Sequence, residues 1–80
     1  MDVVIVSIRS SKEESKNFIL FSNLYDDLML EVEEDGINYV EMLLQDQIET
    51  LGKSPYSSFN DARHECLVNN WNIVLEVVER

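Results

Sequence analysis

The two ends of this chain are made of the same material, and that constrains the fold more than anything between them. Asp2 to Ile8 and Asn72 to Glu79 are short segments dominated by Val and Ile. β-Branched runs of this length favour strands, because their side chains pack well on a pleated surface. In the second segment Ile73, Leu75 and Val77 fall on one face and Val74, Glu76 and Val78 on the other. Both segments thus carry apolar residues on two faces. That is the pattern of strands covered on both sides, or of a sheet completed by another subunit.

With 80 residues, the chain is expected to form one domain spanning 1–80. A chain of that size buries roughly 60% of the surface its unfolded form exposes. Its 45% apolar content is enough for a packed interior. The expected class is α+β, with N- and C-terminal strands paired in one sheet and about three helices between them. Two strands alone are marginal, and three short helices cannot cover both of their faces. A homodimer through the terminal strands follows as an expectation.

Residues 12–34 read as the first helix. At about 100° per residue, Phe18, Phe21, Leu24, Tyr25, Leu28, Met29 and Val32 share a face. Ser11 and Glu14 have capping-box spacing, and Gly36 suits a left-handed cap. The alternative is that residues 17–34 contribute extra antiparallel strands. In one such version Leu28, Leu30 and Val32 point inward and Asp35-Gly36 makes a hairpin turn, but Leu30 then pairs with the carboxylate of Glu41. Residues 37–51 read as a second helix with the stripe Ile37, Val40, Leu44, Ile48 and Leu51, stopped by Gly52. Pro55 breaks the helical pattern, and Ser58 with Asp61 opens a third helix. Its inner side carries Phe59, Ala62 and Cys66, and Asn69-Asn70 suits its end.

Catalytic equipment is sparse. His64 is the only histidine and Cys66 the only cysteine. On one helix they point about 200° apart, so they cannot form a Cys–His pair. Four Cys/His ligands for a structural zinc are lacking. Glu31, Glu33, Asp35 and Gly36 match the opening of a calcium loop, but Asn38 and Met42 stand where an apolar residue and a glutamate belong. Gly36 and Gly52 are isolated, so no phosphate-binding loop is present. No catalytic, cofactor or metal residue is assigned, and the chain is read as a non-enzyme. The longest apolar runs span four residues, and Met1-Asp2-Val3 lacks the basic start of a signal peptide. A cytoplasmic location is expected.

Charge carries the functional signal. From Asn17 to Gly52, 36 residues contain no Lys or Arg but nine acids: Asp26, Asp27, Glu31, Glu33, Glu34, Asp35, Glu41, Asp46 and Glu49. An average stretch of that length holds about four basic side chains. The net charge of −10 disfavours direct contact with nucleic-acid phosphates or anionic membranes. It suits a basic protein partner, with Met42 and Leu30 as apolar anchors among the acids. The nine acids and Met42 are therefore the expected partner-binding residues. The functional expectation is a small inhibitor of phage or mobile-element type that occupies the nucleic-acid site of a partner by mimicry. The competing expectation is a non-catalytic structural or regulatory domain, a homodimer in one version, whose acidity serves only solubility.

Overall fold

The computed structural model describes residues 1–9, 15–45 and 47–79. Strand β1 (Asp2–Arg9) is the centre of a three-stranded sheet, flanked by β2 (Ser15–Phe21) and β3 (Asn72–Glu79). It pairs antiparallel with β2, Arg9 opposite Ser15 and Val3 opposite Phe21, and parallel with β3. The α+β class and the pairing of the terminal strands are as expected. Helices α1 (Ser22–Asp35) and α2 (Tyr39–Leu44) cover one face, and α3 (Phe59–Val68) covers the other.

That layering explains β1. Val3 to Ile8 are all buried, with Val4, Val6 and Ile8 in the α1–α2 core and Val3 and Ile5 in the α3 core. A central strand with both faces covered needs an unbroken apolar run, and this segment supplies it. The second face of β1, which helped motivate dimerisation, is therefore covered within the monomer, whereas Val74 and Val78 of β3 stay about half exposed. β3 differs: it sits at the edge, and most of its residues are exposed. Its simple alternation is also broken, because the register shifts between Val3 and Val4. Ile73 packs with the α3 core while Val77 packs with the α1–α2 core.

The single helix over 12–34 is corrected by a strand followed by a helix. Phe18 and Leu20 enter one core and Ile19 the other, all essentially inaccessible. A helix with the expected stripe leaves Ile19 and Leu20 on its outer side, whereas a strand buries neighbours on opposite faces. The antiparallel-strand alternative, placed over 17–34, is right for residues 17–21 and wrong beyond them. Leu28, Leu30 and Val32 are helical, with Leu28 buried and Leu30 exposed. Gly36 closes α1 at φ 66°, donating its N–H to the Val32 carbonyl at 3.1 Å. The Ser11–Glu14 capping box lies outside the described residues.

The second helix is shorter than its pattern and turned. Asn38 caps α2 by accepting from the Val40 and Glu41 amides at 3.1 and 3.3 Å. Tyr39 and Leu43 are buried, while Leu44 is exposed. Beyond Leu44 the chain must pass around the outer edge of β2. Ile48 still packs in the α1–α2 core, whereas Leu51 already packs in the α3 core. A continuous helix to Leu51 cannot make that crossing. The segment instead bonds its backbone groups to β2: Leu51 N–H donates to the Ile19 carbonyl (2.8 Å), and Asn17 and Tyr56 exchange backbone bonds of 3.0 and 2.7 Å. The Ser54 hydroxyl accepts from the Ile19 amide at 3.1 Å. Gly52, at φ 66°, leaves room where a Cβ would meet the Tyr56 hydroxyl.

The third helix follows its sequence signals. The Ser58 hydroxyl accepts from the Asp61 amide at 3.1 Å, Ala62 and Cys66 are buried, and Asn69 ends the helix. Asp61 accepts from the Ser57 hydroxyl at 3.2 Å.

Two tyrosines make the fold sensitive to alkali. Buried Tyr39 donates its hydroxyl proton to the Glu79 carboxylate of β3. Burial first, then that carboxylate, push the Tyr39 phenol far above its ordinary 10.0. Burial, Glu79 and Asp26 raise Tyr25. The folded chain therefore holds phenolic protons that the unfolded chain releases. Their stabilisation is full below the ordinary value and declines as pH rises above it, by at most about 1.4 kcal/mol per pH unit for each group. Urea midpoints followed from neutral pH to about pH 11 are expected to fall once tyrosine in the unfolded chain ionises, above about pH 10. Tyr39→Phe should flatten that decline, and an unchanged slope would remove Tyr39 as its source.

Candidate protein-binding surface

Helix α1 positions the acidic surface through its period. Tyr25 and Leu28 are buried, with Met29 and Val32 packed beside them. Asp26, Asp27, Glu31, Glu33, Glu34 and Asp35 are left exposed. On the same helix, Leu24, Asp27, Leu28 and Glu31 recur at i, i+3, i+4 and i+7, and so share one flank. That flank forms one wall of a groove of about 200 Å³, whose other wall is Met42 of α2 with Gln47, Ile48 and Glu49. Leu24, Leu28, Met42 and Ile48 give the groove an apolar lining, and Asp27, Glu31 and Glu49 supply three carboxylates.

Four of the expected partner-binding residues thus converge: Asp27, Glu31, Met42 and Glu49. Glu33, Glu34 and Asp35 sit together in the last turn of α1, where no basic residue offsets the helix dipole. Asp26 is exposed beside buried Tyr25, and Glu41 lies in the first turn of α2, the favourable end for an acid. Asp46 lies outside the described residues. Of the two apolar anchors, Leu30 is exposed, while Met42 is partly buried and packed against the core. Leu24, Leu28 and Ile48, expected only as members of apolar helix stripes, join the groove together with Gln47. The four-residue α1 flank was readable as a period; its opposite wall was not, because it follows from the early end of α2.

Elsewhere the chemistry is quiet. His64 is exposed and Cys66 buried, on opposite sides of α3. Burial, and then the neighbouring Glu65 carboxylate, push the Cys66 thiol up, away from the reactive thiolate. Glu31 to Asp35 are helical, so they do not form a calcium loop. Among the described residues no group of three or more His, Cys, Asp or Glu is arranged to hold a metal ion, and no helix is long and apolar enough to cross a membrane. A second, open concavity of about 380 Å³ lies where Arg63 of α3 meets Ile73 to Glu76 of β3.

Compared with known proteins, the chain matches no family model, no curated protein and no solved structure.

Proposed function

We propose that the protein is a small, non-catalytic acidic binding protein whose α1–α2 surface docks on a basic site of a partner protein. The observation that carries this reading is the groove: an apolar lining with Asp27, Glu31 and Glu49 around it, on a segment without a single cation from Asn17 to Gly52. Such a groove accepts the aliphatic stem of a Lys or Arg side chain and meets its charged head with carboxylates. Sites evolved for phosphates present lysines and arginines in rows. An acidic domain that occupies one excludes the nucleic acid, so the protein acts as an inhibitor by nucleic-acid mimicry. A phage or mobile element that must blunt a host nucleic-acid enzyme, in the cytoplasm, is the setting that fits this activity.

The test is capture from host lysate on the immobilised protein at low and high salt, followed by elution with duplex DNA or RNA. One dominant nucleic-acid-binding partner, lost at high salt and displaced by nucleic acid, is the expected result. A partner that stays bound in the presence of saturating nucleic acid would overturn mimicry. Because the mechanism uses neither residue, His64→Ala and Cys66→Ala should each keep full inhibitory activity. Cys66→Ala should lose some stability through packing. Loss of activity in either folded variant would sink the non-catalytic reading.

A further inference from the structure

The two edges of the sheet are treated in opposite ways. The outer edge of β2 is closed by Leu51, Ser54 and Tyr56, which satisfy the backbone groups of Asn17 and Ile19. The outer edge of β3 pairs with nothing among the described residues. It is also apolar: Val74, Leu75 and Val78 are 49%, 47% and 53% exposed. Edge strands in soluble monomers are blunted by charged side chains, Pro, bulges or brevity. β3 runs for eight residues without Lys or Pro, and its protection is limited to Glu76, Glu79 and the irregularity at Val74. Its register irregularity lies at the Val74 end, which leaves Leu75 to Glu79 as regular strand.

We propose that this edge is the seam of a homodimer, in which β3 pairs antiparallel with β3 of a second copy across a two-fold axis, giving one six-stranded sheet. A two-fold seam must be self-complementary, and the charges here permit it. The acids of α1 lie over β1 and β2. In the dimer two strands separate β1 from its symmetry mate, about 14 Å at the usual strand spacing. That exceeds the screening length of about 8 Å at physiological salt, so two copies at −10 can approach by this edge.

Charge also selects the register. Opposed residues must share a face, so the axis passes through a residue of the regular segment, and Leu75, Glu76 and Val77 are the central choices. An axis at Glu76 sets the two copies of that carboxylate against each other. An axis at Leu75 runs the pairing into the irregularity at Val74. The axis at Val77 avoids both. It opposes Val77 to itself, Glu76 to Val78 of the second copy, and Leu75 to Glu79.

Sedimentation equilibrium tests the seam. A short strand pair lies at the small end of specific interfaces, so the measurement belongs at about 100 µM. The wild-type chain is expected to approach twice its 9.3 kDa. Val78→Glu sets a second carboxylate opposite Glu76 at two symmetric sites and should weaken the dimer about tenfold or more. Val78→Lys pairs with the same carboxylates and should tighten it about threefold. Position 78 is half exposed, so both variants should keep the wild-type circular dichroism spectrum. A 9.3 kDa species throughout overturns self-pairing and leaves the edge to an extended strand of a different protein. A dimer indifferent to the sign of charge at 78 also overturns it. Neither result depends on the acidic face of α1.

Discussion

Asn17→Leu is expected to lower unfolding free energy by about 2–4 kcal/mol, a large share of the roughly 4–12 kcal/mol available to a domain of this size. Asn17 is 1% exposed, and its side chain joins three elements. Its Oδ1 accepts from the Ser7 hydroxyl of β1 at 2.6 Å, and its Nδ2 donates to the Tyr56 carbonyl at 3.1 Å. Leucine has similar bulk but offers neither group. The Ser7 hydroxyl, itself buried, loses its acceptor, and the segment that closes the β2 edge loses a side-chain tie. Adding Ser7→Ala should recover part of the loss, because removing both partners costs less than orphaning one. Urea denaturation of the two variants and the double mutant measures the coupling. A loss below about 1 kcal/mol for Asn17→Leu would mean that this polar knot contributes little.

Reversing charge at Glu33, Glu34 and Asp35 together to lysine should weaken partner binding well over tenfold. Exposed charges act through association rate and complementarity, and this change replaces three negative charges with three positive ones at exposed positions of α1, the helix of the proposed docking surface. The same change should leave the fold intact and raise the thermal midpoint. The last turn of α1 holds these three acids and no base, so they oppose the helix dipole, and lysines there complement it. A variant that is more stable yet binds worse separates function from folding. Calorimetric titration of the captured partner against wild type and variant is the measurement. Unchanged affinity would remove this turn from the interface.

Both expectations rest on features that differ in how far the chain discloses them. The exposed acids of α1 were legible, since a helical period plus the burial of Tyr25 and Leu28 fixes where the remaining side chains point. The Ser58 cap, the Gly36 stop and the strand at Asn72–Glu79 were also local signals, each a property of a few adjacent residues. Asn17 was not legible as a structural tie. It appeared only as the start of an acidic stretch, and its partners are 10 and 39 residues away.

The same division runs through the whole molecule. Local signals were enough for the terminal strands, the α+β class, the third helix and the sign and place of the charge, because composition and short-range periodicity set these. Long-range packing made Phe18 to Phe21 strand rather than helix. A four-residue apolar run satisfies either period, and only two opposed cores can bury Ile19 and Leu20 together. It also decided that helix α2 ends at Leu44, since the chain had to turn there to carry Ile48 and Leu51 to opposite faces of the sheet. Nor could sequence tell β1 from β3. Both are apolar on two faces, and which one became the buried centre and which the open edge was settled by where the third strand paired.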